Sequence, residues 1–198
     1  MPELRLGVLA IQGGFESHRE VLRELGAEVA EVRLPADLDG LDGLVIPGGE
    51  STTISMGIES AGLAEPIRAL HDAGGTIFGT CAGMIVCDRE HLDLIDASAA
   101  RNAYGRQLQS FEADLEVKGI GDEPLRAVFI RAPWVEHCGE DVEVLASYEG
   151  HPVAIREGRV LACAFHPELT DDSRMHALFM AMTTGALERG ASEISGDH

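Results

Sequence analysis

The sequence predicts an α/β protein built on a doubly wound parallel sheet, and three observations predict it. Short apolar runs recur in the first half, each followed by a turn and then by residues at helical spacing. Glycine is abundant, 23 of 198 residues, which suits many tight strand-to-helix turns. The chain is long enough for a sizeable core and carries no linker, repeat or low-complexity stretch. One domain is therefore expected over residues 1–187, with a frayed tail over 188–198.

Residues 4–10 read as a buried parallel strand. Gln12-Gly13-Gly14 breaks it, and 15–25 has helical spacing in Phe15, Val21, Leu22 and Leu25, closed by Gly26. Residues 27–34 and 43–46 read as the next strands. Pro47-Gly-Gly-Glu-Ser-Thr-Thr53 is a glycine turn leading into one helical stretch through about residue 73, and Gly74-Gly75 precedes a further strand. Ligands bind such sheets beyond the carboxyl ends of the strands, where these glycine loops converge. The second half reads as strands at 109–119, 127–130, 142–148, 152–156 and 159–164, with Glu157-Gly158 as a hairpin turn. Residues 170–187 read as a closing helix capped by Thr170 or Asp171.

Composition excludes several functions. Asp and Glu number 34 against 15 Lys and Arg, a net charge of −19, and Lys118 is the only lysine. Nucleic acid and anionic membranes both need cationic surface, so neither is an expected partner. The acids are interleaved with regular apolar periodicity, which is not a disorder pattern. The balance reads as halophilic adaptation to concentrated salt, where screening suppresses self-repulsion; an ordinary acidic bacterial protein is the alternative. With no run of about 18 apolar residues and no basic-then-apolar N-terminus, a soluble, cytoplasmic protein is expected. Cys81, Cys87, Cys138 and Cys163 form no Cys-x-x-Cys pair and are expected to be free thiols.

Chemistry centres on Thr76-Ile-Phe-Gly-Thr-Cys-Ala-Gly-Met-Ile-Val86, an apolar run, a Gly-x-Cys-x-Gly turn and then helix formers. This is the pattern of a nucleophile elbow, in which a strand turns sharply into a helix and the strained nucleophile needs small neighbours. Gly79 and Gly83 remove side chains that would clash, and Ala82 is nearly as small. Cys81 would sit at a helix N-terminus, whose free N–H groups and dipole favour an anion. A buried strand, a glycine turn and an inert cysteine is the other reading of the same residues.

A nucleophilic cysteine needs a base, and the base an orienter. Phe165-His166-Pro167-Glu168 follows the strand at 159–164. In an extended segment side chains two apart share a side, so His166 and Glu168 would project together, with Pro167 keeping the backbone out of helix. A solvated His and Glu before a helix is the alternative. His18, His71, His91, His137, His151 and His198 show no pairing that specifies chemistry. His166, Asp171, Asp172 and His176 can be drawn as a metal set, but no ligand pair at helical spacing joins them, and no metal is expected. Donors for a developing oxyanion are available at the N–H of Ala82 and in the Gly48-Gly49 turn.

Together these segments resemble the class I, triad-type glutamine amidotransferases. Within them the chain is similar to the family of glutaminase subunits that serve pyridoxal 5′-phosphate synthase. The matching stretches are Gly7-Val-Leu-Ala-Ile-Gln-Gly13, Pro47-Gly-Gly-Glu-Ser-Thr-Thr53, Phe78-Gly-Thr-Cys-Ala-Gly-Met84, Arg101-Asn-Ala-Tyr-Gly-Arg-Gln107, Ser110-Phe-Glu112, Phe129-Ile-Arg-Ala-Pro133 and Phe165-His-Pro-Glu-Leu-Thr170. The second and the sixth discriminate, since other branches carry different loops there.

The resemblance implies a flavodoxin-like three-layer sandwich with a mostly parallel sheet. It implies hydrolysis of L-glutamine to L-glutamate and ammonia, with Cys81 as nucleophile and His166 and Glu168 as its charge-relay pair. Gly49 and Ala82 would form the oxyanion hole, and Gly49, Glu50, Ser51, Arg101, Ile130 and Arg131 the substrate pocket. The ammonia would pass to a separate synthase subunit in a hetero-oligomer. Class I enzymes commonly leave the oxyanion hole misassembled until the partner docks, and Gly48-Gly49 beside Gln12-Gly13-Gly14 is the candidate moving part. The residues show no phosphate loop or cofactor motif. Other readings are a glutaminase serving histidine or purine synthesis, a related cysteine hydrolase, and a binding module without activity.

Overall fold

The computed structural model describes residues 4–101 and 110–185; the expected tail at 188–198 lies outside them. Four apolar segments of the first half form strands β1 (Arg5–Leu9), β2 (Glu28–Val32), β3 (Gly43–Ile46) and β4 (Thr76–Thr80), all in parallel register. Their order is β2-β1-β3-β4, so the chain steps one way from β1 and the other way from β3. Right-handed crossovers then put helix α1 (Phe15–Glu24) on one face and α2 (Ser51–Ser60) and α3 (Ala64–Asp72) on the other. β3 and β4 are buried at every residue because helices cover both faces, which explains their unbroken apolar sequence.

The short helix α4 (Ala82–Cys87) follows β4 directly. The second half supplies β5 (Ala97–Ala100) with β8 (Trp134–Cys138), and β6 (Ser110–Leu115) with β7 (Leu125–Ile130), each an antiparallel pair. β9 (Glu143–Tyr148), β10 (His151–Glu157) and β11 (Val160–Cys163) complete the central sheet in the order β2-β1-β3-β4-β11-β10-β9. β11 is parallel to β4 and antiparallel to β10. The hairpin between β10 and β11 turns at Gly158-Arg159, one residue later than the expected Glu157-Gly158, because Glu157 stays in the strand opposite Val160. Helix α5 (Arg174–Thr183) returns to the face of α1, where His176 meets His18.

Phe78, Phe129, Phe165 and Phe179 are fully buried, and Phe78 lies 5.7 Å from Phe179 between sheet and α5. Phe111 of β6 stacks on Phe129 of β7 at 4.6 Å, and Tyr148 of β9 lies against both. This aromatic cluster fixes the β6–β7 ribbon on the sheet edge and so fixes Ile130 and Arg131 at the end of β7.

The structure departs from the sequence reading at several elements. The single helix expected through about residue 73 is two. Gly62 takes φ 69° after α2, with Gly62 N–H bonded to Glu59 O and Leu63 N–H to Ile58 O, which is a Schellman stop. The last helix begins at Arg174 rather than near Thr170, because the Asp172 carboxylate accepts from the Arg174 N–H and its guanidinium instead of opening the helix earlier. β5 and β8 are absent from the sequence reading, because Ala-Ser-Ala-Ala and Trp-Val-Glu-His-Cys carry little strand pattern of their own. All four cysteines are free. Among the described residues no helix is long and apolar enough to cross a membrane.

Candidate active site

Four loops meet at the carboxyl ends of β1, β3, β4 and β11, beside the point where the chain reverses its direction of winding. Cys81 closes β4 and caps α4 with φ 50° and ψ −110°, a backbone strain of about 1–3 kcal/mol for a non-glycine residue. Its N–H donates to Cys163 O of β11 at 2.8 Å, which holds the strained residue to the sheet. The flanking glycines are sterically required. A Cβ on Gly83 would lie 1.9 Å from Ile46 O, and one on Gly79 would lie 2.5 Å from Gly83 O. Cys81 Sγ sits 3.8 Å from the carbonyl oxygen of Ile130.

His166 and Glu168 do project together, though not by alternation along an extended chain. Pro167–Leu169 is a single 3₁₀ turn, entered from His166 at φ −105° and ψ 87°, and the turn brings the carboxylate under the imidazole. His166 Nδ1–H donates to Glu168 Oε1 at 2.7 Å. The His166 N–H bonds Val128 O at 2.8 Å, tying this loop to β7. Burial works against a charge on His166, but its interactions with Cys81 and Glu168 outweigh burial and raise its pKa to about 10. Burial likewise pushes Glu168 up, yet the bond from His166 and the nearby imidazoles leave it below the usual carboxylate range. The pair is therefore charged at neutral pH. The stabilisation His166 gains is complete below its ordinary 6.5 and is lost as pH rises through about 10.

In front of Cys81 lies a cavity of about 390 Å³. Gly49, Glu50, Ser51, Arg101, Ile130 and Arg131 all line it, together with Cys81, Ala82 and His166, so every expected site residue except the buried Glu168 reaches it. Ile85 and Pro133, which sequence reasoning does not single out, complete the wall with Gln12. A larger hollow of about 590 Å³ between Glu116, Lys118 and β9 contains none of these residues.

The Glu50 carboxylate is engaged at the start of α2. Bonds from the Thr53 hydroxyl and from the Thr53 and Thr52 N–H groups hold it at about 2. Gln12 latches the glycine loop, its Oε1 accepting from Glu50 N–H at 2.8 Å. Gly49 has φ 158°, and a Cβ there would lie 2.3 Å from the same Gln12 oxygen. A Cβ on Gly48 would fall 2.7 Å from His166 Cε1 and 3.1 Å from Cys81 Cβ, so this loop packs on both side chains. Arg101 Nη1 donates to Thr52 Oγ1 at 2.9 Å.

Sequence reasoning found no partner for His18 or His176. The structure buries both behind Glu168, with His18 Nδ1 2.8 Å from His176 Nε2 and His18 Nε2 3.3 Å from Glu168 Oε2. A signal exists for His18: it shares the apolar face of α1 with Phe15 and Leu22, at steps of three and four.

A strained cysteine, a carboxylate-braced histidine and a small cavity at the winding reversal of the sheet are the parts that a nucleophilic cysteine needs. A solved structure described as a glutamine amidotransferase superposes with a TM-score of 0.86 at 45% identity, covering 90% of this chain and 98% of its own. The chain belongs to the SNO glutamine amidotransferase family, whose model matches residues 8–184. Relatives named pyridoxal 5′-phosphate synthase subunit PdxT are 50% identical in Mycobacterium avium (92% of this chain, 98% of the relative) and 48% identical in Deinococcus radiodurans (90% and 97%).

Proposed function

We propose that this chain is the glutaminase subunit of a pyridoxal 5′-phosphate synthase, working in the cytoplasm through a Cys81–His166–Glu168 triad. The observation that carries the reading is Cys81 at the floor of the cavity beside the His166–Glu168 pair. Cys81 Sγ attacks the side-chain amide carbon of L-glutamine. The N–H of Ala82 and a donor from the Gly48-Gly49 turn receive the developing oxyanion. His166 delivers its proton to the departing ammonia, leaving a glutamyl thioester, and water then releases L-glutamate and restores the thiol. Arg101 and Arg131 supply cationic groups for the substrate carboxylate. The ammonia passes to the synthase subunit.

Turnover is expected to depend on that partner. The Gln12 side chain accepts from Glu50 N–H and Gly14 N–H donates to Gly48 O, so a contact at the Gln12-Gly13-Gly14 turn reaches the oxyanion loop directly. One oxyanion donor is worth roughly 100- to 1000-fold in rate. Adding the synthase subunit at saturating glutamine should raise turnover on that scale. Equal rates with and without it would remove the gating while leaving the triad intact.

The charge balance supports salt adaptation. Arg5, Arg19, Arg33, Arg68, Arg89, Arg126, Arg156 and Arg174 are paired with carboxylates, and with 34 acids against 15 cations most acids have no cation to offset their mutual repulsion. The Debye length falls from about 30 Å at 0.01 M to about 3 Å at 1 M salt. Melting temperature should therefore rise between about 10 mM and about 2 M KCl. A flat profile would refute the adaptation.

A further inference from the structure

Behind the catalytic pair lies a fully buried line of polar groups that the reaction as written does not use. The Glu168 side chain is 2% exposed; Oε1 takes the His166 bond, and Oε2 has no fully formed hydrogen bond. The donor-capable atom facing Oε2 is His18 Nε2 at 3.3 Å, which also stands 3.1 Å from Thr80 Oγ1. His18 Nδ1 faces His176 Nε2 at 2.8 Å, and His176 Nδ1 has no hydrogen-bond partner. Both imidazoles are fully buried, and both pack edge-on against Phe78.

We propose that His18 and His176 are positioning residues of the glutaminase reaction, a one-directional hydrogen-bond chain that braces Glu168 so that its other oxygen holds His166. The inference rests on the triad reading above. Its polarity follows from elementary valence. Burial lowers His18 to about 4 and His176 to about 3, so both are neutral and each has one N–H and one lone pair. A bare lone pair of His18 against the Glu168 carboxylate would be repulsive, so Nε2 carries the proton and shares it between Oε2 and Thr80. His18 Nδ1 must then accept, which makes His176 the donor through Nε2–H. His176 Nδ1 is left as a bare acceptor, which agrees with its lack of a partner.

The ionisable groups that interact with Glu168 are His166, His18, His176 and Cys163, and the thiol of Cys163 is itself pushed well up by burial and by the charges of Glu168 and Cys81. His18 is the one whose removal takes a donor from Oε2. Losing that donor disfavours the ionised carboxylate, and the carboxylate is the form that orients His166. The acid limb of kcat should then move to higher pH.

The test measures glutamine hydrolysis against pH in the mixed complex with the synthase subunit. His18→Leu is expected to lower kcat about 10- to 100-fold with little change in KM, and to move the acid limb up by about one unit. His18→Gln, which keeps an N–H at the same reach, should restore most of the rate and the limb. In the unaltered protein, imidazole ¹⁵N–¹H NMR at neutral pH should show both His18 and His176 as neutral Nε2–H tautomers, a result that does not depend on a variant folding. Wild-type kcat and limb in His18→Leu would overturn the proposal. So would a lower kcat that His18→Gln does not restore with the limb unmoved, or an Nδ1–H tautomer at His18. Glu168→Gln run alongside separates the two levels: if it costs nothing, the triad reading fails, and if it inactivates while His18→Leu does not, only the brace fails.

Discussion

Replacing Cys81 by alanine is expected to abolish glutamine hydrolysis, with a loss of at least roughly four orders of magnitude in kcat. No other thiol can stand in for it. Cys87 and Cys163 are fully buried, and burial pushes both thiols well up; Cys138 lies on β8 and lines no part of the cavity. Without Sγ there is no thioester, and the oxyanion donors alone cannot supply a nucleophile. Glu168→Ala should fall less far, because an unoriented His166 still carries a proton, so a small residual rate is expected. A single-turnover assay with labelled glutamine reads both. Substantial turnover by Cys81→Ala would sink the mechanism.

The second large effect is expected at Gly83, a residue that makes no polar contact with substrate. An added Cβ would stand 1.9 Å from Ile46 O and 3.3 Å from Pro47 O, both backbone atoms at the end of a central strand. Neither β3 nor α4 can yield, since β3 is paired on both sides and buried throughout. Gly83→Ala should therefore cost about 3 kcal/mol or more, a fall of roughly 6–12 °C in melting temperature, and should displace Cys81 enough to cut kcat severely. Gly62→Ala is the control. Its Cβ would meet nothing within 4 Å, so only the strain of φ 69° remains, about 1–2 kcal/mol, with kcat unchanged. If Gly83→Ala is no worse than Gly62→Ala, the close approach of α4 to β3 does not set the elbow.

The comparison of sequence with structure divides along the same line as these two variants. Local requirements are legible in the residues. A strand that must turn within three residues needs glycine on both sides of the strained Cys81, and Gly79 and Gly83 state that need outright. The alternation of apolar runs and helical spacing likewise specifies a wound parallel sheet, because each element must bury one side against its neighbour. The pairing of His166 with Glu168 is legible too, yet its cause is not: a 3₁₀ turn, not an extended strand, makes the contact. The stop at Gly62 and the start at Arg174 depend on which of several capping options the packed chain selects. His18 and His176 stand 158 residues apart and meet only because α1 and α5 lie on the same face of the sheet. A hydrogen bond between such distant side chains leaves no local spacing to read; the sheet order brings them together, and burial in a dry core makes their polarity definite.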